Sequence, residues 1–472
     1  MTTLDGLDEP DRQRWAEALV GTGGSQCGFC TPGIIMRLAA LAGSEPVTDG
    51  AVDQALLAHL CRCTGWQTVV EAADLVLGGH ADPGGVLGGR DLVAAASRAR
   101  LEGGVAQQVG TAVVLGRAGF ADDSCPADAL VAVVDGDGDG DGYAVAGSLP
   151  EARALAGKVQ GRSTTVPLSR PVEVPDGPWT AALATTWVEP AYVEPDASWC
   201  EPGGTPASPY GNGGSFGGKL DSPVAGDARR LADEHGRAVR VLWSREDVVR
   251  RGPKRPPVAG GIRADGTGVL RVGISGDGPD PTAWDAMVGD VESVAPGLVL
   301  ERVEIVGPAV SLSLRAAVWA EAAVLASAAR HGRIGTPVTD VPVEVETPAG
   351  GRAIVRCAVD GSLDIEVFAG DVLDQVALRS FVIGASHQAL GWVRSEGIAV
   401  SPEGSVQDLT IRSFGILQAR AMPQLSVRIV DEPDRAPVNG SDAVFAAVAA
   451  ARWLADGMPI AWPTDRGGAG RR

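Results

Sequence analysis

The residues best equipped for chemistry fall in two short runs. One is Gln26-Cys27-Gly28-Phe29-Cys30-Thr31-Pro32-Gly33, and the other is Cys61-Arg62-Cys63-Thr64-Gly65-Trp66. Four cysteines in a C-x2-C and a C-x-C can hold metal. A [2Fe–2S] cluster takes four thiolates, two on each iron, and needs the pairs held close in space. Each short span brings two sulfurs to one place. Zinc also accepts four cysteines, although its usual knuckles pair C-x2-C or C-x4-C in small turn-rich modules. Spacing alone leaves both metals open. Disulfides are disfavoured, because nothing marks the chain as secreted. Cys125, Cys200 and Cys357 are isolated and read as small buried residues.

The elements around these runs must be helices. Arg12 to Val20, Ile34 to Ala42, Ala51 to Leu60 and Trp66 to Leu77 each carry apolar residues at the 3.6-residue period. Pro32 and Gly33 lie near the start of the second helix, and Gly78-Gly79 ends the fourth. The cysteines therefore fall at helix ends, where backbone N–H groups can point at cluster sulfurs.

Composition sets the outer bounds. The chain has 472 residues, 45% of them hydrophobic, which suffices for several domains with real cores. A net charge of −19 repels phosphate backbones and disfavours nucleic-acid binding. The acidic N-terminus lacks the pattern of a secretory signal, and no apolar run reaches the 18 or so residues of a membrane span. A cytoplasmic, soluble protein is expected.

Further along, Gly78 to Gly89 reads as a linker. Strands are expected near Ala106–Leu115 and Leu130–Val134. The acidic run from Asp137 spells half of a calcium loop but has Ser148 at its twelfth position, so a hairpin tip is the better reading. In Trp187 to Gly204 the acids Glu189, Glu194 and Glu201 each neighbour a proline and read as exposed turns. Gly211 to Lys219 is a glycine-rich loop before a helix, Val224 to His235, and suits an anion or a flat cofactor. It is not a Walker loop, because Leu220 follows Lys219. Strands are also expected near Ala238–Trp243, Gly260–Arg263, Val269–Ile274, Pro342–Glu346, Arg352–Val359, Leu363–Phe368, Asp408–Ser413 and Gln424–Val430. Helices are expected at Glu151–Gly157, Leu314–His331, Arg379–Val393 and, capped from Asn439 to Asp442, Ala443–Ala455.

The two cysteine runs, with their flanks from about Thr3 to Leu77, resemble the helical, second [2Fe–2S] domain of the xanthine dehydrogenase or molybdenum hydroxylase (aldehyde oxidase) family. Its signature reads Q-C-G-[FY]-C-T-P-G and then C-R-C-T-G-[YW]. The resemblance implies a [2Fe–2S] cluster with Cys27, Cys30, Cys61 and Cys63 as ligands, and sets Gln26 and Cys63 beside a molybdopterin. A patchier resemblance covers most of 95–460. Gly213 to Lys219 looks like the G-G-G-F-G-G-K loop of the molybdenum subunit, which implies Gly214, Phe216, Gly217 and Gly218 as cofactor-binding residues. Leu314 to Ala322 looks like the segment that supplies a substrate-facing arginine, here Arg315. Where the family carries a C-terminal G-E-P, whose Glu acts as base, this chain reads Gly440-Ser441-Asp442. Asp442 is then the candidate substitute, and a helix cap is the competing reading.

The implied fold is α+β: a helical [2Fe–2S] domain over 1–80, a linker over 81–95, a small α/β hammerhead-like region over 96–150, and a shortened α/β molybdopterin-binding-type region over 151–345 and 346–472. The implied function is that of an iron–sulfur oxidoreductase component passing electrons through the cluster, with hydroxylation of a purine or aldehyde-like small molecule at a molybdopterin. A separate FAD-binding or ferredoxin-domain subunit would accept the electrons. The alternative is a non-catalytic electron-transfer or scaffold subunit with a degenerate molybdenum domain.

Overall fold

The computed structural model describes residues 2–42, 50–78, 89–136, 142–157, 163–276 and 278–465. In chain order the helices of the first half are α1 (Glu9–Thr22), α2 (Thr31–Ala39), α3 (Ala51–Leu56), α4 (Gln67–Leu77), α5 (Leu92–Gly103), α6 (Thr111–Val114), α7 (Leu149–Leu155), α8 (Val224–His235) and α9 (Arg245–Arg251). Those of the second half are α10 (Pro281–Val294), α11 (Trp319–His331), α12 (Gln375–Arg394) and α13 (Ser441–Ala455). The strands are β1 (Leu130–Val134), β2 (Tyr143–Ala146), β3 (Ala181–Ala184), β4 (Asp196–Cys200), β5 (Val239–Trp243), β6 (Val258–Ile262), β7 (Gly268–Ile274), β8 (Leu298–Glu304), β9 (Val343–Glu346), β10 (Arg352–Cys357), β11 (Leu363–Phe368) and β12 (Leu425–Val430).

The strands form three mixed four-stranded sheets, ordered β2-β1-β5-β4, β3-β6-β7-β8 and β12-β11-β10-β9. Each contains one parallel pair, β1 with β5, β7 with β8 and β11 with β12. The helical N-terminus packs its own core, in which Trp15, Leu19, Ile34, Ile35, Leu38 and Leu56 are fully or nearly buried. Each such side chain contributes roughly 1.5–3 kcal/mol. α12 is the element that joins this core to the rest. Asp374 caps its start by accepting from Ala377 N at 2.7 Å, and Arg90 grips the same carboxylate through Nε at 2.8 Å and Nη2 at 2.6 Å. Most of α12 and α13 is buried, and the two helices meet in a Trp392–Phe445 stack with ring centroids 5.0 Å apart.

Several expectations need correction. Leu92–Gly103 is a helix that the sequence reading missed, its N-cap Asp91 accepting from Val93 and Ala94. Residues 106–115 form no strand; Thr111–Val114 is one helical turn pressed under the Cys27–Cys30 turn. Asp408–Ser413 is not a strand either, because Asp408 turns its carboxylate inward to the N–H of Ala399 at 2.8 Å. β3, β4, α10 and β8 were also missed. Most of the expected linker, and the acidic run from Asp137 to Asp141, lie outside the described residues. Among the described residues no helix is long and apolar enough to cross a membrane.

Candidate iron–sulfur and cofactor site

The first cysteine pair sits on the turn that opens α2, with Cys30 at its N-cap. Gly28 makes the turn possible. Its φ is +84°, and a Cβ there would meet the Val113 carbonyl oxygen at 2.7 Å. The second pair lies between α3 and α4, followed by Gly65 and Trp66 with φ of +65° and +73°. Cys61 is buried, and its sulfur lies 3.2 Å from Thr64 Oγ1.

The thiols pair across the two motifs rather than within them. The Cys30 thiol hydrogen-bonds to Cys61 and pulls the Cys61 pKa down to about 6, helped by Thr64. The same contact, then burial and the charge of its neighbours, pushes Cys30 well up. Cys63 is raised by its hydrogen bond with Cys27 and then by burial. Cys30 also feels the charge of Cys27, and Cys63 that of Cys61, so the four thiols form one coupled group. Four thiols brought together by two short motifs would suit a cluster that takes four thiolates.

α12 locks this loop from the other side. Gly384 touches the loop so closely that a Cβ would stand 1.8 Å from Cys63 O, and Gly65 meets Ile383 O in the same way at 2.5 Å. Gln26 donates through Nε2 to Cys63 O at 3.0 Å and to Ser380 Oγ at 2.9 Å. Arg62, between two of the cysteines, makes a buried bidentate pair with Glu396 at 2.5 and 2.7 Å and donates to Pro190 O at 3.0 Å. Gln388 of α12 donates to Arg62 O at 3.1 Å.

Beyond the cysteines lies the glycine loop. Ser215 and Phe216 take positive φ, and a Cβ on Gly217 would meet Ser313 O at 2.0 Å, so the loop is pinned against the segment that carries Arg315. A Cβ on Gly218 would press on Pro190 and Tyr192, each 2.9 Å away. Arg315 donates its backbone N–H to Phe216 O at 3.0 Å and its Nε to Asp442 Oδ1 at 2.7 Å. Its Nη2 bonds Ser441 Oγ, and its guanidinium lies 5.6 Å from the Phe216 ring centre. The structure thus brings Phe216, Arg315, Ser441 and Asp442 together. Phe216, Arg315 and Asp442 border a cavity of about 420 Å³ that Gly103, Gly104, Gly214 and Gly217 also line. A narrow space of about 30 Å³, faced by Gln26, Cys27 and Cys63, shares Gly103, Gly214 and Phe216 with that cavity.

Two acids are misread from sequence. Glu189 and Glu194 are buried, not exposed turns. The prolines do make the turns, but the carboxylates point inward to cations, Glu189 to Arg245 and Glu194 to Lys219 at 3.3 Å. Only Glu201 of the three is exposed. Glu102 was not foreseen at all. Its buried carboxylate accepts from Gly440 N at 3.1 Å, Ser441 N at 2.8 Å and Arg98 Nη1 at 3.0 Å, closing the N-terminus of α13. The helical spacing of Arg98 and Glu102 was the available signal. Asn439 caps the same helix, accepting from Asp442 N at 2.9 Å.

The [2Fe-2S] binding domain family matches residues 3–74. The xanthine dehydrogenase of Dictyostelium discoideum is 43% identical over 76 residues, covering 16% of this chain and 6% of that protein. A protein of Bacillus subtilis, named as a component of a probable xanthine dehydrogenase, is 38% identical over 74 residues, covering 16% of this chain and 43% of its own. The match thus spans less than half the length of these relatives. Among solved structures, the aldehyde oxidoreductase of Desulfovibrio gigas superposes with a TM-score of 0.67 at 14% identity, covering 98% of this chain and 91% of that one. That of Desulfovibrio desulfuricans gives 0.66 at 13%, covering 95% and 89%. The first domain is therefore a [2Fe–2S] binding domain, and the chain has the fold of an aldehyde oxidoreductase.

Proposed function

We propose that this chain is an electron-transferring oxidoreductase component in which Cys27, Cys30, Cys61 and Cys63 hold the [2Fe–2S] cluster. The cavity of about 420 Å³ beside it is where a molybdopterin group would sit. The shared wall carries this reading: Gly103, Gly214 and Phe216 border both the space faced by Cys27 and Cys63 and the cavity faced by Arg315 and Asp442. Shape supports the assignment. The volume lies within the range of cofactor pockets, and at Gly104 nothing stands within 4 Å of an added Cβ, so a flat group can approach backbone there. Gly214, Phe216, Gly217 and Gly218 would shape the near wall, with Gln26 holding the cysteine loop in place through Cys63 O. When bound, a molybdopterin supplies water-derived oxygen and accepts electrons. Arg315, fixed by Asp442 and lying against Phe216, would orient a purine or aldehyde-like substrate. A separate FAD-binding or ferredoxin-domain subunit would be one acceptor for the electrons.

A second reading, an electron-transfer or scaffold role without catalysis, is favoured by one observation. Ser441 stands where the family's base is expected, and Asp442 is engaged by Arg315. A single Ser441→Glu change would not restore a base, because its carboxylate would crowd that of Glu102 at the same helix end. The two readings part when the protein is mixed anaerobically with an aldehyde or a purine. Bleaching of the [2Fe–2S] absorption supports the first. Bands that bleach with dithionite but with neither substrate support the second.

A further inference from the structure

A second cavity, of about 310 Å³, borders the Cys27–Cys30 turn; it shares only Glu194 with the narrow space faced by Cys27 and Cys63 and no residue with the larger cavity. Its floor is Gly28 and Phe29, the two residues between Cys27 and Cys30. Phe29 is 40% exposed and meets Phe120 edge-on, with ring centroids 5.5 Å apart and planes at 83°. Phe120 is held in place by Gly211, where a Cβ would stand 2.3 Å from the ring. Pro32, Pro195 and Ala197 extend the apolar wall.

The charged groups on this wall face partners of their own. Lys219 gives its ammonium to Glu194 at 3.3 Å, Pro209 O at 3.1 Å and Pro195 O at 3.3 Å. Asp122 faces Arg240 at 2.9 Å, and Asp123 accepts from Phe120 N at 3.0 Å. Three carboxylates against the Lys219 ammonium and the Arg240 guanidinium leave the wall net negative, so the cavity disfavours anions. Aromatic edges, apolar walls and this volume suit one planar, uncharged ring system.

We propose that this cavity binds a neutral quinone, which takes electrons directly from the cluster side of the chain. The proposal rests on the cluster assignment above. The Cys27–Cys30 turn would be in contact with the ligand, so no second protein would be needed between them. Two electrons, delivered one at a time from reduced clusters, and two protons from water turn the bound quinone into the hydroquinone, which leaves.

The probe is 2,3-dimethyl-1,4-naphthoquinone, whose substituted ring does not add thiols, with its 6-sulfonate as the charged control. Titration calorimetry on the oxidised, iron-loaded protein should show one saturable site per chain. The sulfonate should bind at least ~10-fold more weakly, which at about 1.4 kcal/mol per decade is the effect of facing like charge. Phe29→Ala, at an exposed side chain, should weaken binding about 5-fold, and Ala197→Phe should abolish it by filling the space. Where Ala197→Phe fails to fold, Phe29→Ala and the sulfonate decide. Absence of binding, or equal binding of both quinones by wild type and Phe29→Ala, overturns the site. After reduction and desalting, the quinone should restore the cluster bands at a rate that saturates; binding without restoration overturns the acceptor role. A protein that holds no iron refutes the cluster assignment instead, and is detected before the titration begins.

Discussion

The two halves of the site are built in opposite ways. The four cysteines come from two runs within 37 residues of each other, counted from Cys27 to Cys63, and are positioned by a domain with its own core. The cavity side is assembled from segments far apart in sequence: Glu102 from α5, Phe216 from the glycine loop, Arg315 before α11 and Asp442 from α13. The first half matches relatives at 38–43% identity, whereas the fold as a whole persists at 14%. Metal ligation tolerates almost no change in residue type or spacing, because thiolates and their geometry are fixed by the metal. A cavity wall tolerates much more, since apolar volume and backbone approach can be supplied by many residues.

The contrast can be broken at either half. The largest effect is expected at the ligands: Cys61→Ser should remove both irons and lower thermal stability, because metal binding and folding are linked at such sites. Iron analysis and a melting curve check it. Next is the seam. Glu396→Gln leaves the buried Arg62 guanidinium without its partner and should cost about 3–5 kcal/mol in urea unfolding. Replacing both partners with apolar residues should recover most of that loss.

His387 makes the seam sensitive to pH. It lies in α12 with Nε2 3.0 Å from Leu417 O. Burial first, and then the Arg62 charge, push its pKa down to about 4, so the folded protein holds it neutral. The unfolded chain protonates it near 6.5. Between those values the unfolded state binds more protons, so stability is fully present above about 6.5 and is lost as pH falls toward 4. The loss amounts to about 3 kcal/mol from this residue. His387→Gln should flatten that part of the stability–pH curve. The smallest effect is at the cavity. Asp442→Asn, which removes a partly exposed ion pair with Arg315, should cost about 1 kcal/mol and leave iron content unchanged.

How much could be read from the chain follows the same division. The helices around the cysteines, the glycine loop, α8, β11 and the burial of Cys200 and Cys357 were legible, because capping signals, periodicity and ligand spacing are local. α5 was not, since the window that hides it begins in a glycine-rich stretch and its helical face is mostly alanine. The inward turn of Glu189 and Glu194 was not legible either. A proline beside an acid fixes the backbone, but only the approach of Arg245 and Lys219 decides where the carboxylate points. Crossed pairing of the cysteines is likewise a tertiary fact, set by α12 and the Gly28 turn.

The most direct test of the account is metal analysis with a visible spectrum on protein purified without oxygen. The gathering of Cys27, Cys30, Cys61 and Cys63 in a domain matching the [2Fe-2S] binding family predicts two irons per chain with [2Fe–2S] absorption bands. One zinc per chain and no visible bands would contradict it, and with it the claim that this domain carries electrons.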